Sequence, residues 1–145
     1  MEFASPAWSP WLEGDKTILE KVQQKAVKMI SGLKGGNYEE KCRELGLETL
    51  EKRRTKQDMA EVYRIVKGDR GSNIFIKASA GGAIRTRTAA DPSNLRKGFA
   101  RTDIRKNFFT LRVVDMWNGL PAEVKQAPNQ KAFKRALNRV WKDQK

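Results

Sequence analysis

Apolar residues recur at helical rather than strand spacing along most of this chain. Ile18, Leu19, Val22, Ala26, Met29 and Ile30 form one stripe, and Lys16, Lys21, Lys25 and Lys28 line the remainder. That spacing predicts a helix capped by Asp15 and running to about Ser31, ended by Gly32 and followed by a Gly35-Gly36 turn. Asn37-Tyr38-Glu39-Glu40 reads as a capping box that opens a short helix stopping at Gly46. Thr49 caps a longer helix to about Lys67, with Leu50, Met59, Val62, Tyr63 and Val66 inward and Gly68 beyond its end.

Between Asp69 and Gly98 the helical period disappears. Ile74-Phe75-Ile76 suits a short strand, and the arms Ile84–Thr88 and Leu95–Phe99 suit a hairpin about Asp91-Pro92-Ser93-Asn94. The period then returns with the densest apolar run of the chain. Phe109, Val113, Met116 and Trp117 can share a buried face with Phe108 beside them, while Arg112 and Asp115 point elsewhere. Asn118-Gly119 predicts a stop with Gly in the left-handed position, and Pro121 can open one further turn, Ala122–Gln126. Asn129 caps a last helix with Phe133, Leu137, Val140 and Trp141 inward and Lys131, Lys134, Arg135, Arg139 and Lys142 outward. The lead-in, with Phe3, Trp8, Trp11 and Leu12 among Pro6 and Pro10, is expected to be non-helical. Its Trp8 and Trp11 are expected to be buried within the chain or at a dimer interface. The fold class is therefore mainly α: a compact helical domain of about five helices, with at most one small β-hairpin in residues 69–100.

Charge changes this picture more than any other feature of composition. Thirty Lys and Arg against seventeen Asp and Glu give a net charge of +13 in 145 residues. So large an excess favours phosphate backbones or an acidic membrane surface through long-range attraction and counterion release. The alternative is a solvated basic face with no dedicated partner; nucleic acid is favoured because the charge sits beside aromatics. It is also uneven. Residues 84–112 hold eight cations against Asp91 and Asp103. Arg85, Arg87, Arg96, Lys97, Arg101, Arg105, Lys106 and Arg112 are accordingly the candidate nucleic-acid contacts, with Arg53 and Arg54 on the third helix as a second bank. Phe99, between Lys97 and Arg101, is the candidate stacking ring. Phe108, Phe109 and Trp117 are read as core, and Tyr38 and Tyr63 as structural.

Catalytic chemistry finds little support. Histidine is absent, and Cys42 stands alone without a base partner, so no disulfide, zinc site or cofactor is expected. The absence of an apolar span or leader-like segment predicts no membrane insertion and an intracellular setting, nucleus or cytoplasm.

The order of several segments resembles the carboxyl-terminal tail of the reverse transcriptases of non-LTR retrotransposons (LINE elements) of the chicken-repeat/jockey group. The segments are "FASPAWSPWL", "LEKVQQKAVKMISGL", "YEEKCRELGLETLEKRR", "EVYRIVKG", "RTDIRKNFFTLRVVDMWNGLP" and "FKRALNRVW"; residues 69–100 depart most from the pattern. The resemblance implies a thumb-like helical part at 1–68, and a basic hairpin with C-terminal helices at 69–145, together in one unit. It also implies contact with the backbone of RNA or an RNA–DNA hybrid. The polymerase chemistry of that family needs paired carboxylates upstream, and this chain has no adjacent Asp pair. The expectation is thus a non-catalytic nucleic-acid-binding fragment or domesticated copy. The alternative is an interaction or oligomerisation module using Phe3, Trp8 and Trp11, on the surface that faced the missing palm.

Overall fold

The computed structural model describes residues 4–30, 36–68, 74–77 and 91–143, and among them it contains eight helices and no strand. The chain divides into two compact units, 1–57 and 58–145. Five helices carry the architecture: α2 (Glu13–Lys28), α3 (Tyr38–Glu44), α4 (Leu50–Val66), α6 (Phe109–Asn118) and α8 (Gln130–Asp143). The others, α1 (Ser5–Trp8), α5 (Asp103–Lys106) and α7 (Ala122–Lys125), are single turns.

In the first unit the capping box of α3 forms as its sequence dictates, with Asn37 Oδ1 accepting from Tyr38 N and Glu40 Oε2 accepting from Asn37 N. Gly46 takes a φ of 64°, the left-handed geometry that ends the helix without a Cβ clash. Thr49 Oγ1 accepts from Lys52 N at 3.3 Å at the head of α4, and Gly68 closes that helix at φ 87°. Cys42 is a buried free thiol.

Three features of this unit differ from the expectation. The lead-in contains a helical turn, α1, with Pro6 where a missing N–H costs nothing. Helix α2 starts at Glu13, two residues before Asp15, so Asp15 lies in the first turn rather than at the cap. The apolar stripe of α2 faces outward: Ile18, Val22, Met29 and Ile30 are exposed, while Gln23 and Val27 are buried. Polar demand explains the inversion. Glu20 accepts from Tyr38 Oη at 2.5 Å and from Leu50 N, the first residue of α4, at 3.0 Å. Gln23 Nε2 donates to Tyr38 Oη at 2.9 Å and to Glu48 O at 3.1 Å. Turning α2 the other way would strand the N–H at the head of α4, at a cost of about 1–3 kcal/mol, and leave the half-buried Tyr38 phenol without its partners. Burial and the Glu20 carboxylate push the Tyr38 phenol above its ordinary range.

The core of the second unit combines Met59, Val62 and Tyr63 of α4 with Phe109, Val113, Val114 and Trp117 of α6 and Phe133 and Leu137 of α8, plus Leu95. The Tyr63 and Phe133 rings stack at 4.6 Å between centroids, Trp117 lies 5.9 Å from Phe133, and Tyr63 Oη donates to Ala127 O at 2.6 Å. Asn129 caps α8 through its Oδ1, which accepts from Ala132 N at 2.8 Å. Gly119 does not adopt the left-handed cap expected of it; its φ is −74°. Phe108, expected in the core, is half exposed, because it precedes α6 as its N-cap and leaves the helical register that buries Phe109. Met116 is likewise exposed, and Leu111 and Val114 take the inner face instead.

Candidate nucleic-acid interface

A strap at residues 91–98 crosses the second unit, held from below by side chains of α6 and α7. Asp91 Oδ1 accepts from Ser93 N at 2.8 Å, which makes an Asx turn. Lys125, almost fully buried, donates to Asp91 Oδ2 at 3.0 Å, Asn94 Oδ1 at 2.7 Å and Asn118 O at 3.2 Å. Burial raises the Asp91 carboxyl, but the Ser93 N–H and the Lys125 ammonium outweigh it and hold Asp91 below its ordinary value. Trp117 Nε1 donates to Ser93 O at 2.9 Å. The Asn118 amide clamps both backbone groups of Leu95, accepting from its N at 2.8 Å and donating to its O at 2.9 Å. On the other edge Arg96 N donates to Ile76 O at 2.7 Å, beside an antiparallel bridge between Lys77 and Leu95. The short strand expected at Ile74–Ile76 is only this bridge, and the partner arm expected at Ile84–Thr88 lies outside the described residues.

Beyond the clamp the chain turns its side chains outward. Gly98 lies so close to α6 that a Cβ there would stand 3.3 Å from Leu111 Cδ2. Phe99 therefore leaves the surface beside the first turn of α6, and its ring is 89% exposed. Thr102 Oγ1 then accepts from Arg105 N at 3.3 Å, capping α5, and every residue of α5 is exposed. Arg105 lies over the Phe108 ring at 5.4 Å, and Ile104 is 76% exposed. Cations and open apolar groups thus alternate over one short stretch.

The structure treats the candidate contacts unequally. Arg96, Arg101, Arg105 and Lys106 are exposed together with Phe99. Lys97 is exposed but pairs with Asp115 of α6. Arg112 turns inward: its Nε and Nη2 donate to Asp58 Oδ2 at 3.2 and 2.9 Å, its Nη1 donates to Asn107 O at 3.3 Å, and it covers the Phe109 ring. It is a clamp between α4 and α6, because a carboxylate as deeply buried as Asp58 must be paired. Arg85 and Arg87 lie outside the described residues.

On α4 neither residue of the second bank is fully exposed. Arg54 is buried, with no hydrogen-bond partner for its Nη1 among the described residues, and Arg53 is half-buried. Two other cations there are neutralised by Glu48, which takes Lys56 at 2.5 Å and Lys52 at 3.5 Å. Burial raises the Glu48 carboxyl, yet these two ammonium groups bring it below its ordinary value.

Two features do not figure among the candidate contacts read from the sequence. Ile104 and Phe108 join the exposed apolar groups around α5. The outer face of α8 presents Lys131, Lys134, Arg135 and Arg139, all exposed, with no ion pair to any of them among the described residues. No acid occurs between Glu123 and Asp143, a signal available from the sequence alone. Among the described residues no three His, Cys, Asp or Glu side chains gather to hold a metal ion, and no helix is long and apolar enough to cross a membrane. No protein-family model, curated protein or solved structure matches the chain.

Proposed function

We propose that this chain is a non-catalytic nucleic-acid-binding unit that holds RNA or an RNA–DNA hybrid by its backbone. The observation that carries the reading is the exposed run of Arg96, Arg101, Arg105 and Lys106 on a strap and turn anchored to the core by Lys125, Trp117 and Asn118. Cations on a fixed support lose little freedom when they meet phosphates, so more of the attraction survives as affinity. The outer face of α8 replaces the α4 residues as the second bank. From Lys131 to Arg139, eight residue steps along the helix, it spans roughly 12 Å, enough to follow more than one phosphate. The resemblance to a LINE reverse transcriptase tail agrees with this role, and the lack of an adjacent Asp pair supports a binding rather than a polymerising one. The test is titration of labelled single-stranded RNA, duplex RNA, RNA–DNA hybrid and duplex DNA with the whole chain. The reading expects saturable binding that weakens steeply with salt; absence of binding to all four at low salt refutes it.

A second reading, self-association or docking of another protein through the first unit, is favoured by a separate observation. Trp8 and Trp11 are 40% and 45% exposed, and the outward stripe of α2 adds Ile18, Val22 and Met29. Burial of the two tryptophans within the chain, one of the expected outcomes, does not occur. Concentration-dependent mass in sedimentation, abolished by Trp11→Ser with Val22→Ser, would support this reading; a constant monomer mass would exclude self-association.

A further inference from the structure

We infer that the exposed segment carrying Phe99, Ile104, Arg105 and Phe108 takes unpaired nucleotides, so that the preferred ligand is single-stranded rather than duplex. The inference rests on the proposed nucleic-acid reading and specifies the ligand of that same site. Simple backbone binding needs only cations, yet the structure keeps a phenyl ring 89% exposed, an isoleucine 76% exposed and a second ring 49% exposed among them. Apolar groups left open in water are unfavourable unless a partner covers them. A duplex offers phosphates and base edges but keeps its base faces stacked inside, which leaves such groups without a flat partner. An unpaired base offers a flat π-face that covers a ring at no cost in sequence choice.

The mounting of Phe99 supports the same conclusion. Its backbone cannot retreat inward, because Gly98 already lies against Leu111 and Leu95 is clamped by Asn118. Lys97, paired with Asp115, fixes the chain on the same side. The ring is therefore presented on an anchored segment rather than on a loose tip. Arg105, stacked over Phe108, is a second flat surface, since a guanidinium plane accepts a base on one face while its N–H groups reach phosphate oxygens. Arg101, just before the Thr102 cap of α5, and Lys106, at its last position, are exposed on either side of Arg105 in the chain, available to the phosphates next to a stacked base. An acidic peptide with aromatic side chains is the other ligand such a surface could hold, and the experiment separates the two.

The experiment measures affinity of the whole chain for a 12-nucleotide single strand carrying 2-aminopurine and for a duplex of the same sequence. The chain is compared with Phe99→Ala, Phe99→Trp and the Arg105→Ala/Lys106→Ala pair. Phe99 is too exposed to support the fold, so the Ala variant keeps its tryptophan emission and its unfolding midpoint. The expected result is quenching of 2-aminopurine on binding, and tighter binding of the single strand than of the duplex. Phe99→Ala should weaken single-strand binding roughly 5- to 100-fold, the range of one lost base–aromatic stack, and duplex binding less than about twofold. Phe99→Trp should restore it. If Phe99→Ala leaves single-strand binding unchanged while Arg105→Ala/Lys106→Ala still weakens both ligands, the inference is overturned and the backbone-binding reading stands. If no nucleic acid binds and an acidic aromatic peptide does, both are overturned.

Discussion

Replacing Lys125 by Met should loosen the support on which the candidate interface stands. Met keeps most of the side-chain volume and removes only the ammonium group. That group donates three hydrogen bonds, to Asp91, Asn94 and the carbonyl of Asn118 at the end of α6. Hydrogen bonds to charged groups are worth about 1.5–3 kcal/mol each, and deleting one member of a buried ion pair costs about 3–5 kcal/mol. The Asp91 side chain is 24% exposed against 2% for Lys125, so water can partly recover the orphaned carboxylate. The loss also includes the favourable position of a cation at a helix C-terminus. A net destabilisation of about 2–3 kcal/mol follows, below the full cost of breaking a buried pair because Asp91 keeps access to water. Urea unfolding in a Trp8→Phe/Trp11→Phe background reads the second unit selectively, since only Trp117 and Trp141 remain. Adding Asp91→Asn should cost much less in the Lys125→Met background than in the parent, because the pair acts as one unit. A loss below about 0.5 kcal/mol for Lys125→Met would refute the assignment of Lys125 as the support of the strap.

Two further outcomes follow from the same geometry. Asp91 titrates below its ordinary value of 3.8 in the folded chain, so its contribution to stability is present above that value and is lost as pH falls through the lower folded one. The tryptophan-monitored stability of the second unit should decline below about pH 4, and Asp91→Asn should flatten that decline; an unchanged profile would remove Asp91 from the explanation. Phe133→Ala opens a cavity between the Tyr63 and Trp117 rings and should cost about 3–5 kcal/mol; a cost under 1 kcal/mol in chemical denaturation would show that the three rings do not form the centre of the core.

The elements with local punctuation were legible in the sequence. Asn37 to Glu40 announce α3, Thr49 and Gly68 bracket α4, and the faces of α8 follow from the spacing of Phe133 and Leu137. What was not legible depended on partners distant in the chain. Helical periodicity separates two faces of α2 but does not say which one turns inward, and Glu20 and Gln23 decided that by meeting Tyr38, Glu48 and the head of α4. Arg112 read as an outward cation because Asp58, its partner, lies 54 residues away. Nothing local marks Lys125 as a buried support, because Asp91 and Asn94, its partners, lie 34 and 31 residues away. At the candidate site the charge excess was visible, whereas the sorting of its cations into exposed, paired and buried was not. Phe108 reads as core from its spacing with Phe109 and Trp117, and its place one residue before α6 puts it at the surface.

The central claim is that Arg105 and Lys106 meet phosphates. Its most direct test is the slope of log affinity against log salt for the chain and for the Arg105→Ala/Lys106→Ala variant on the same RNA. Each phosphate neutralised adds roughly 0.7 to 0.9 to that slope. The variant should lower it by about one to two units and weaken all sequences about equally. An unchanged slope and affinity, with Lys21, Lys25 and Lys28 of α2 proving essential instead, would contradict that claim and move the interface to the first unit.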